Sequence, residues 1–226
     1  MNQSTAIAAM TSKAPDPHAL FTELRHCSAK GDRAGLASLL LLNASMPSFY
    51  AAAAIHAAAA KGHAECVKIL IPLAGLFCEK NSLALLAAAR NGHLKCIKVL
   101  IDSQWAAGPP SASGYDNLMS CCLCGAARNG HAECVSLFMP LASTLRHGKN
   151  VALYEAIDNG HAAVVEAMAS HDLSLMYVAQ ARLDPSNKNH RHISQFLHSI
   201  EESRSLSEIA IADHSSRQHP TKTPRL

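Results

Sequence analysis

Apolar and polar residues alternate along the chain with helical spacing around a recurring Gly-His pair. Seven positions before each glycine stands an aliphatic residue, and four positions before it stands alanine. This spacing predicts a short helix with one tightly packed stripe, ended by glycine in a left-handed cap conformation. The pair occurs four times, at intervals of 30, 38 and 30 residues: Gly62-His63, Gly92-His93, Gly130-His131 and Gly160-His161.

A second apolar pattern follows each Gly-His pair. Positions four, five, seven and eight after the glycine are apolar in every copy, as in Cys66-Val67 and Ile69-Leu70. Such positions share one face of a helix. Each unit is therefore predicted to be a helix-turn-helix hairpin. Because one hairpin cannot bury its apolar face alone, the hairpins are expected to stack into a solenoid.

Composition limits the classes of partner that this chain is expected to bind. The chain has 226 residues, of which 49% are hydrophobic and 4% aromatic, so small aliphatic side chains must fill the core. A formal charge of +3 is too small to indicate nucleic-acid binding, and no apolar run is long enough for a membrane span. Eight cysteines without a secretory signal indicate reduced thiols in the cytoplasm.

Residues 53–71 resemble the ankyrin repeat, whose pattern is T-P-L-H-x-A-A-x-x-G-H-x-x-V-V-x-L-L. His56 lies at the position of the T-P-L-H histidine, which Leu86, Cys124 and Tyr154 occupy in the later copies. The resemblance implies an all-α, ankyrin-like solenoid of about six helix-turn-helix repeats. It also implies a structural role for the histidines, hydrogen bonding to backbone near the inter-repeat turn: His63, His93, His131 and His161. The family's finger motif between repeats is missing.

The register of this pattern sets the predicted boundaries. Residues 1–17 are expected to be a mobile leader, 18–202 the repeat domain and 203–226 a mostly disordered tail with a short helix over Leu206–Ala212. Gly31 continues the register at one end and Asn189-His190 at the other. The long interval places an insert at 102–117, rich in turn-forming residues. The repeat units lie near 22–41, 53–71, 83–101, 121–139, 151–169 and 178–199.

Candidate chemistry is sparse. Cys121, Cys122 and Cys124 form one crowded group, whereas zinc usually takes two spaced pairs of ligands, and Cys122 and Cys124 are expected on opposite sides of a helix start. Core packing is the favoured interpretation, and a metal or redox-sensing role is a remote alternative. No phosphate-binding loop, nucleophile elbow or zinc-protease motif occurs. The sequence therefore predicts no enzyme, cofactor, metal site or catalytic residue.

The residues just before each glycine are the candidate partner-binding residues. In ankyrin folds they point toward the concave face, and four cations followed by an acid suggest a ladder for an acidic segment of a protein partner: Lys30, Lys61, Arg90, Arg128 and Asp158. A solvated face with scattered charge is the alternative. Trp105 and Tyr115, in the insert, are further candidates for an interface. Alternatively, Trp105 folds back to cap the gap left by the insert.

These patterns predict a protein-protein interaction scaffold that binds through the concave face and the long insert. Its oligomeric state does not follow from the sequence. A second hypothesis is a bacterial effector, because the leader of Ser, Thr and Ala resembles a secretion leader. The repeats would then dock a host protein in the host cytoplasm. Fusion of the leader to a reporter tests this hypothesis, and a lack of export would remove it.

Overall fold

The chain folds into a two-layer stack of helices. The computed structural model describes residues 16–42, 47–74, 79–105, 112–142, 146–184, 186–188 and 190–218. Within these residues every regular element is a helix. The inner layer consists of α1 (Pro17–Lys30), α3 (Ser48–Lys61), α5 (Glu79–Arg90), α7 (Ala112–Arg128), α9 (Arg146–Asp158) and α11 (Ser174–Arg182). The outer layer consists of α2 (Arg33–Leu42), α4 (Ala64–Ala74), α6 (Leu94–Trp105), α8 (Ala132–Phe138), α10 (Ala162–His171) and α12 (His190–Gln218). Each inner helix contacts the next inner helix, and each pairs with the outer helix that follows it. The all-α solenoid is confirmed.

A glycine at positive φ ends the inner helix of the first five hairpins. We call these residues the joint glycines: Gly31, Gly62, Gly92, Gly130 and Gly160. At Gly62 the backbone N–H donates to Ala59 O (3.3 Å), and the next N–H, of His63, donates to Ala58 O (2.9 Å). This pair of bonds satisfies carbonyls that a helix end would otherwise leave unpaired. Two residues later the outer helix begins, so the joint reverses the chain within a short turn.

The core lies between the two layers. Inner-helix positions seven and four before the joint glycine are buried, as at Ile55 and Ala58. In the four outer helices that follow a Gly-His pair, positions four, five and eight after the glycine are buried, whereas position seven is half-buried. Alanine at position four lets neighbouring helices approach closely. The core is therefore built from aliphatic residues and cysteine, with Phe138 its largest fully buried side chain.

Two predicted boundaries need correction at the front and middle of the chain. Helix α1 already begins at Pro17, and the side chain of Asp16 caps it by accepting from His18 N (3.1 Å). The predicted insert, 102–117, is helical at both ends, because α6 extends to Trp105 and α7 begins at Ala112. Residues 106–111, which hold Gly108, Pro109, Pro110 and Ser111, lie outside the described residues, and the other turn formers lie in the two helices. The extra residues thus lengthen α7 to 17 residues.

The last unit departs from the repeat geometry. His190, the predicted counterpart of the joint histidines, is buried and stays local: its Nδ1 accepts from Asp184 N at 3.0 Å. Asp184 and its neighbours form a turn of their own, with Asp184 Oδ1 accepting from Ser186 N (2.9 Å). Instead of a short helix over Leu206–Ala212, one helix runs from His190 to Gln218. The prediction of a largely disordered tail missed this helix, since its second half has no apolar stripe of repeat spacing.

No helix in the described parts of the chain combines the length and the apolar character that are needed to span a bilayer.

Candidate binding face of the inner helices

One side of each inner helix is turned away from the outer layer. It comprises positions nine, six, five and two before the joint glycine, which fall within about 100° of helix rotation. In α3 these positions are half-buried or exposed, in contrast to positions eight, seven, four and three, which are fully buried. We call this side the open face. In α3 it consists of Ala53, His56, Ala57 and Ala60, and in α5 of Leu83, Leu86, Ala87 and Arg90.

A groove of about 550 Å³ crosses the open face of α1, α3 and α5. Its floor is formed mainly by small residues, because α3 is alanine-rich, and Leu83 adds a large apolar side chain that is 56% exposed. The apolar lining residues are Phe21, Ala29, Ala52, Ala53, Ala57, Ala60 and Leu83, and the polar ones are Arg25, His56 and Lys61. The groove therefore combines an apolar floor with cationic edges.

An aromatic group closes one end of this groove. Phe21 of α1 lies against Tyr50 of α3, with ring centroids 5.1 Å apart, and Phe49 packs on Tyr50 at 4.3 Å. The Arg25 guanidinium lies 5.9 Å from the centre of the Phe21 ring. This contact orients the arginine along the groove wall while leaving it exposed. Aromatic and arginine side chains of this kind are enriched at interface hot spots.

The five residues of the predicted charge ladder occupy two columns. Lys30 and Lys61 precede their joint glycine by one position, whereas Arg90, Arg128 and Asp158 precede theirs by two. In the later repeats, the position one before the glycine carries asparagine, as at Asn91, whose Nδ2 donates to Ala87 O (2.8 Å). These asparagines bond to the end of their own helix. The structure therefore places the ladder residues along one side of the stack without aligning them in one row.

The C-terminal part of the ladder is neutralised within the chain. Arg128 forms a bidentate pair with Glu155, with Nε to Oε2 at 2.8 Å. Arg182 likewise pairs with Asp158, with Nη2 to Oδ2 at 2.9 Å. The hydrogen bond from Arg128 holds the pKa of Glu155 below its ordinary value. Arg128 and Asp158 are thus occupied by intramolecular partners.

Arg90 has no such partner among the described residues. The residue that corresponds to Glu155 in the preceding repeat is Gly125, five positions before Gly130. The stem of Arg90 lies over this glycine, since a Cβ built on Gly125 would come within 2.9 Å of Arg90 Cγ. Lys30 and Lys61 are also exposed and form no ion pair with any described residue. The ladder cations without an intramolecular ion pair to a described residue therefore lie in the N-terminal half of the chain.

Trp105 and Tyr115 lie on either side of the connection between α6 and α7. Trp105 is the last residue of α6, and Tyr115 belongs to the first turn of α7. Their side chains, and residues 106–111 between the two helices, lie outside the described part of the chain.

The joint histidines tie successive repeats together. His63 Nε2 donates to Ala29 O of the preceding repeat (3.0 Å), and His161 Nε2 donates to Arg128 O (2.9 Å). His93 and His131 form the same bond, to Ala60 O (3.2 Å) and Arg90 O (3.0 Å). Each ring thus serves as a cross-link between neighbouring inner-helix ends, and this geometry brings no two of the rings together in one site.

The cysteine group lies within α7 rather than at a helix start. Cys122 is fully buried, Cys121 is exposed, and Cys124 donates weakly to Gly148 O (3.6 Å). Burial raises the pKa of the Cys122 thiol and raises that of Cys124 to about 11, so both thiols are held protonated. Across the described residues, no three His, Cys, Asp or Glu side chains are placed to hold a metal ion together.

The fold and the joints define a class of protein, the helical repeat solenoids. Residues 24–108 match the family model for ankyrin repeats, with three copies, so this part of the chain consists of ankyrin repeats. The same Gly-His joint continues beyond the match, in the hairpins α7–α8 and α9–α10. Repeats of this family generally mediate protein-protein interaction and typically have no enzymatic activity. Among curated proteins, no relative matches the chain.

Sequence inspection missed part of the groove. Phe21 and Arg25 belong to the first unit, whose joint, Gly31-Asp32, lacks the histidine of the Gly-His pairs, so the repeat pattern did not single them out. Ala53 and Ala57 are hard to tell from core alanines in the sequence, because α3 carries alanine on both its buried side and its open face. The spacing of nine, six, five and two before the glycine identifies the face once the buried stripe is assigned.

Proposed function

We propose that this protein is an interaction scaffold that binds a segment of a protein partner in the groove across α1, α3 and α5. The groove itself carries this proposal, since an apolar, alanine-floored concavity with an aromatic end is unusual on a solvated helix face. Small side chains on the floor allow the backbone or short side chains of a partner to approach closely. The aromatic end offers a place for a larger apolar residue.

The seven cysteines described by the structure are unpaired, which supports a reducing compartment such as the cytoplasm for this function.

A variant that fills the groove with residues the fold already accepts tests the proposal. Leu83 occupies the same repeat position as Ala53, and Tyr154 the same position as His56. The double substitution Ala53→Leu/His56→Tyr should therefore fold normally. Peptides selected on the wild-type protein from a random display library should bind this variant at least about tenfold more weakly, as measured by calorimetry.

The matched control makes the same alanine-to-leucine change on the outer layer. Ala163 of α10 is exposed and lies away from the groove, so Ala163→Leu should leave peptide affinity unchanged. Circular dichroism and thermal unfolding establish that both variants are folded. Selected peptides that bind the groove-filled variant as tightly as the wild type would contradict the proposal.

A further inference from the structure

We infer that the groove takes an acidic segment, in which Asp or Glu side chains flank one or two apolar residues. This inference rests on the proposed function and specifies the chemistry of the partner. It follows from three features of the described residues: the charges along the groove, the intramolecular pairing in the later repeats, and the apolar floor.

The groove is lined by two cations, Arg25 and Lys61, and by no acid among its described lining residues. Neither cation forms an ion pair with a described residue. The open-face positions of α1, α3 and α5 that the structure describes likewise carry no Asp or Glu. An uncompensated set of cations in a concave site favours an anionic partner and steers its approach.

The later repeats show what these positions bind when the chain supplies an acid. Arg128, two before its joint glycine, pairs with Glu155, five before the next joint glycine. The same two positions one repeat earlier hold Arg90 and Gly125. Two and three repeats earlier, the position of Glu155 is taken by Ala87 and by Ala57, and Ala57 lines the groove. The N-terminal half therefore leaves out the carboxylates that neutralise the C-terminal half, and a partner can supply them.

The apolar floor of the groove does not favour a ligand that binds through charge alone. Phe21, Leu83 and the alanines between them offer contacts for an aliphatic or aromatic side chain, and the cations stand at the edges. A nucleic acid would instead need a track of many phosphate contacts. Three inner helices about 10 Å apart span roughly 20 Å, which about six extended residues can cover. A short acidic peptide fits this length and pattern.

Selection from a display library of random peptides of about 12 residues, long enough to span the groove, tests the inference. The wild type should enrich sequences with Asp or Glu on both sides of an apolar residue. The variant Arg25→Glu/Lys61→Glu keeps the apolar floor, and should enrich Lys and Arg in their place. The affinity of an acidic peptide selected on the wild type should fall at least about tenfold in this variant and should weaken with rising salt.

A second variant supplies a carboxylate from the chain itself, in place of the partner's carboxylate. Gly125→Glu places a carboxylate beside Arg90, at the position where Glu155 pairs with Arg128. The stem of Arg90 has to shift to make room, and thermal unfolding shows whether the variant keeps its stability. Acidic peptides long enough to reach Arg90 should bind it more weakly than the wild type, whereas shorter ones confined to Arg25 and Lys61 should not.

The outcomes separate this inference from the proposed function. Wild-type selection of peptides without acidic enrichment, which still lose affinity on Ala53→Leu/His56→Tyr, overturns the inference and leaves the proposed function standing. Failure to select any peptide contradicts both. Tighter binding of a single-stranded DNA oligonucleotide than of the acidic peptides, lost in Arg25→Glu/Lys61→Glu, also overturns the inference.

Discussion

The first four joint glycines each lie against the histidine of the following repeat. At Gly92 the backbone has φ of +73°, and a Cβ added there would lie 2.5 Å from Nδ1 of His131. The same ring donates from Nε2 to Arg90 O at 3.0 Å. Glycine is therefore needed twice at this position, once for the left-handed conformation and once for the space that the next histidine occupies.

Replacement of this glycine separates the two requirements. We predict that Gly92→Ala lowers the free energy of unfolding by about 2 kcal/mol or more, since the left-handed conformation alone costs a residue with a Cβ about 1–2 kcal/mol. Gly92→Val should cost at least as much. Urea denaturation followed by circular dichroism measures both.

The double variant Gly92→Ala/His131→Ala is the control for the contact with histidine. Removing the ring relieves the clash but not the backbone strain. The loss of stability in the double variant should therefore be about 1 kcal/mol smaller than the sum of the losses in the two single variants. Strict additivity would show that the clash with His131 contributes nothing.

At the scale of the helix, cysteine serves as a small apolar residue in the outer layer. Cys66, Cys96, Cys134 and Val164 share one repeat position, and all four are buried. Burial raises the pKa of the Cys96 and Cys134 thiols from 9.0 to about 11. The unfolded chain, in contrast, releases these protons near their ordinary pKa.

This difference predicts a loss of stability in alkali. Between about pH 9 and about pH 11 the unfolded state loses thiol protons that the folded state keeps, so the free energy of unfolding falls as pH rises through this window. Below about pH 9 the two thiols make no contribution to the pH dependence. In Cys96→Val/Cys134→Val the fall should be shallower, because valine does not titrate. Denaturation curves of both proteins at about pH 8 and about pH 10.5 measure the difference, and identical slopes would contradict the assignment.

The helices were the part of the fold most open to prediction from sequence. Four repeats share the same apolar positions, so an error in one copy is corrected by the others, and their joints follow directly from Gly-His. The turn of the last unit was not predicted, because it is built from Asp184, Ser186 and His190 rather than from a glycine. The lengths of α6 and α7 were not predicted, because the insert's turn formers obscure the helical residues on either side.

For the whole molecule, the junction between the outer helices α6 and α8 is a weak point in the stack. The inner helices α5 and α7 remain packed together, but the outer helices α6 and α8 make few contacts. In a solenoid each repeat is stabilised only by its neighbours. This junction and the two terminal units should therefore open before the hairpins between them.

Native-state hydrogen exchange over a urea series tests this order of opening. Amides of α3 should exchange with the highest free energy, those of the terminal helices α1 and α12 with the lowest, and those facing the α6–α8 junction with intermediate values. His131→Ala, which removes the bond across the junction to Arg90 O, should lower the free energy of opening there more than in α3. One uniform free energy for all helices would contradict a stack held by nearest neighbours.

The binding face was only partly accessible to sequence reasoning. The cations before the joint glycines were identified from their positions, yet nothing in the sequence showed that Arg128 and Asp158 pair with Glu155 and Arg182. Those partners are 27 and 24 residues away along the chain, and only the stacking of repeats brings them together. The groove depends in addition on the first unit, whose joint lacks the Gly-His pair.

The location of the binding site is tested most directly by photo-cross-linking. Leu83 lines the groove and is 56% exposed, and Leu173, which lies at a different apolar concavity near α11, is 58% exposed. A benzophenone side chain at each position, in separate proteins, offers an acidic peptide two equally accessible targets. Our account predicts that the peptide cross-links from position 83 and not from position 173. Equal labelling of the two proteins, or labelling from position 173 alone, would contradict it.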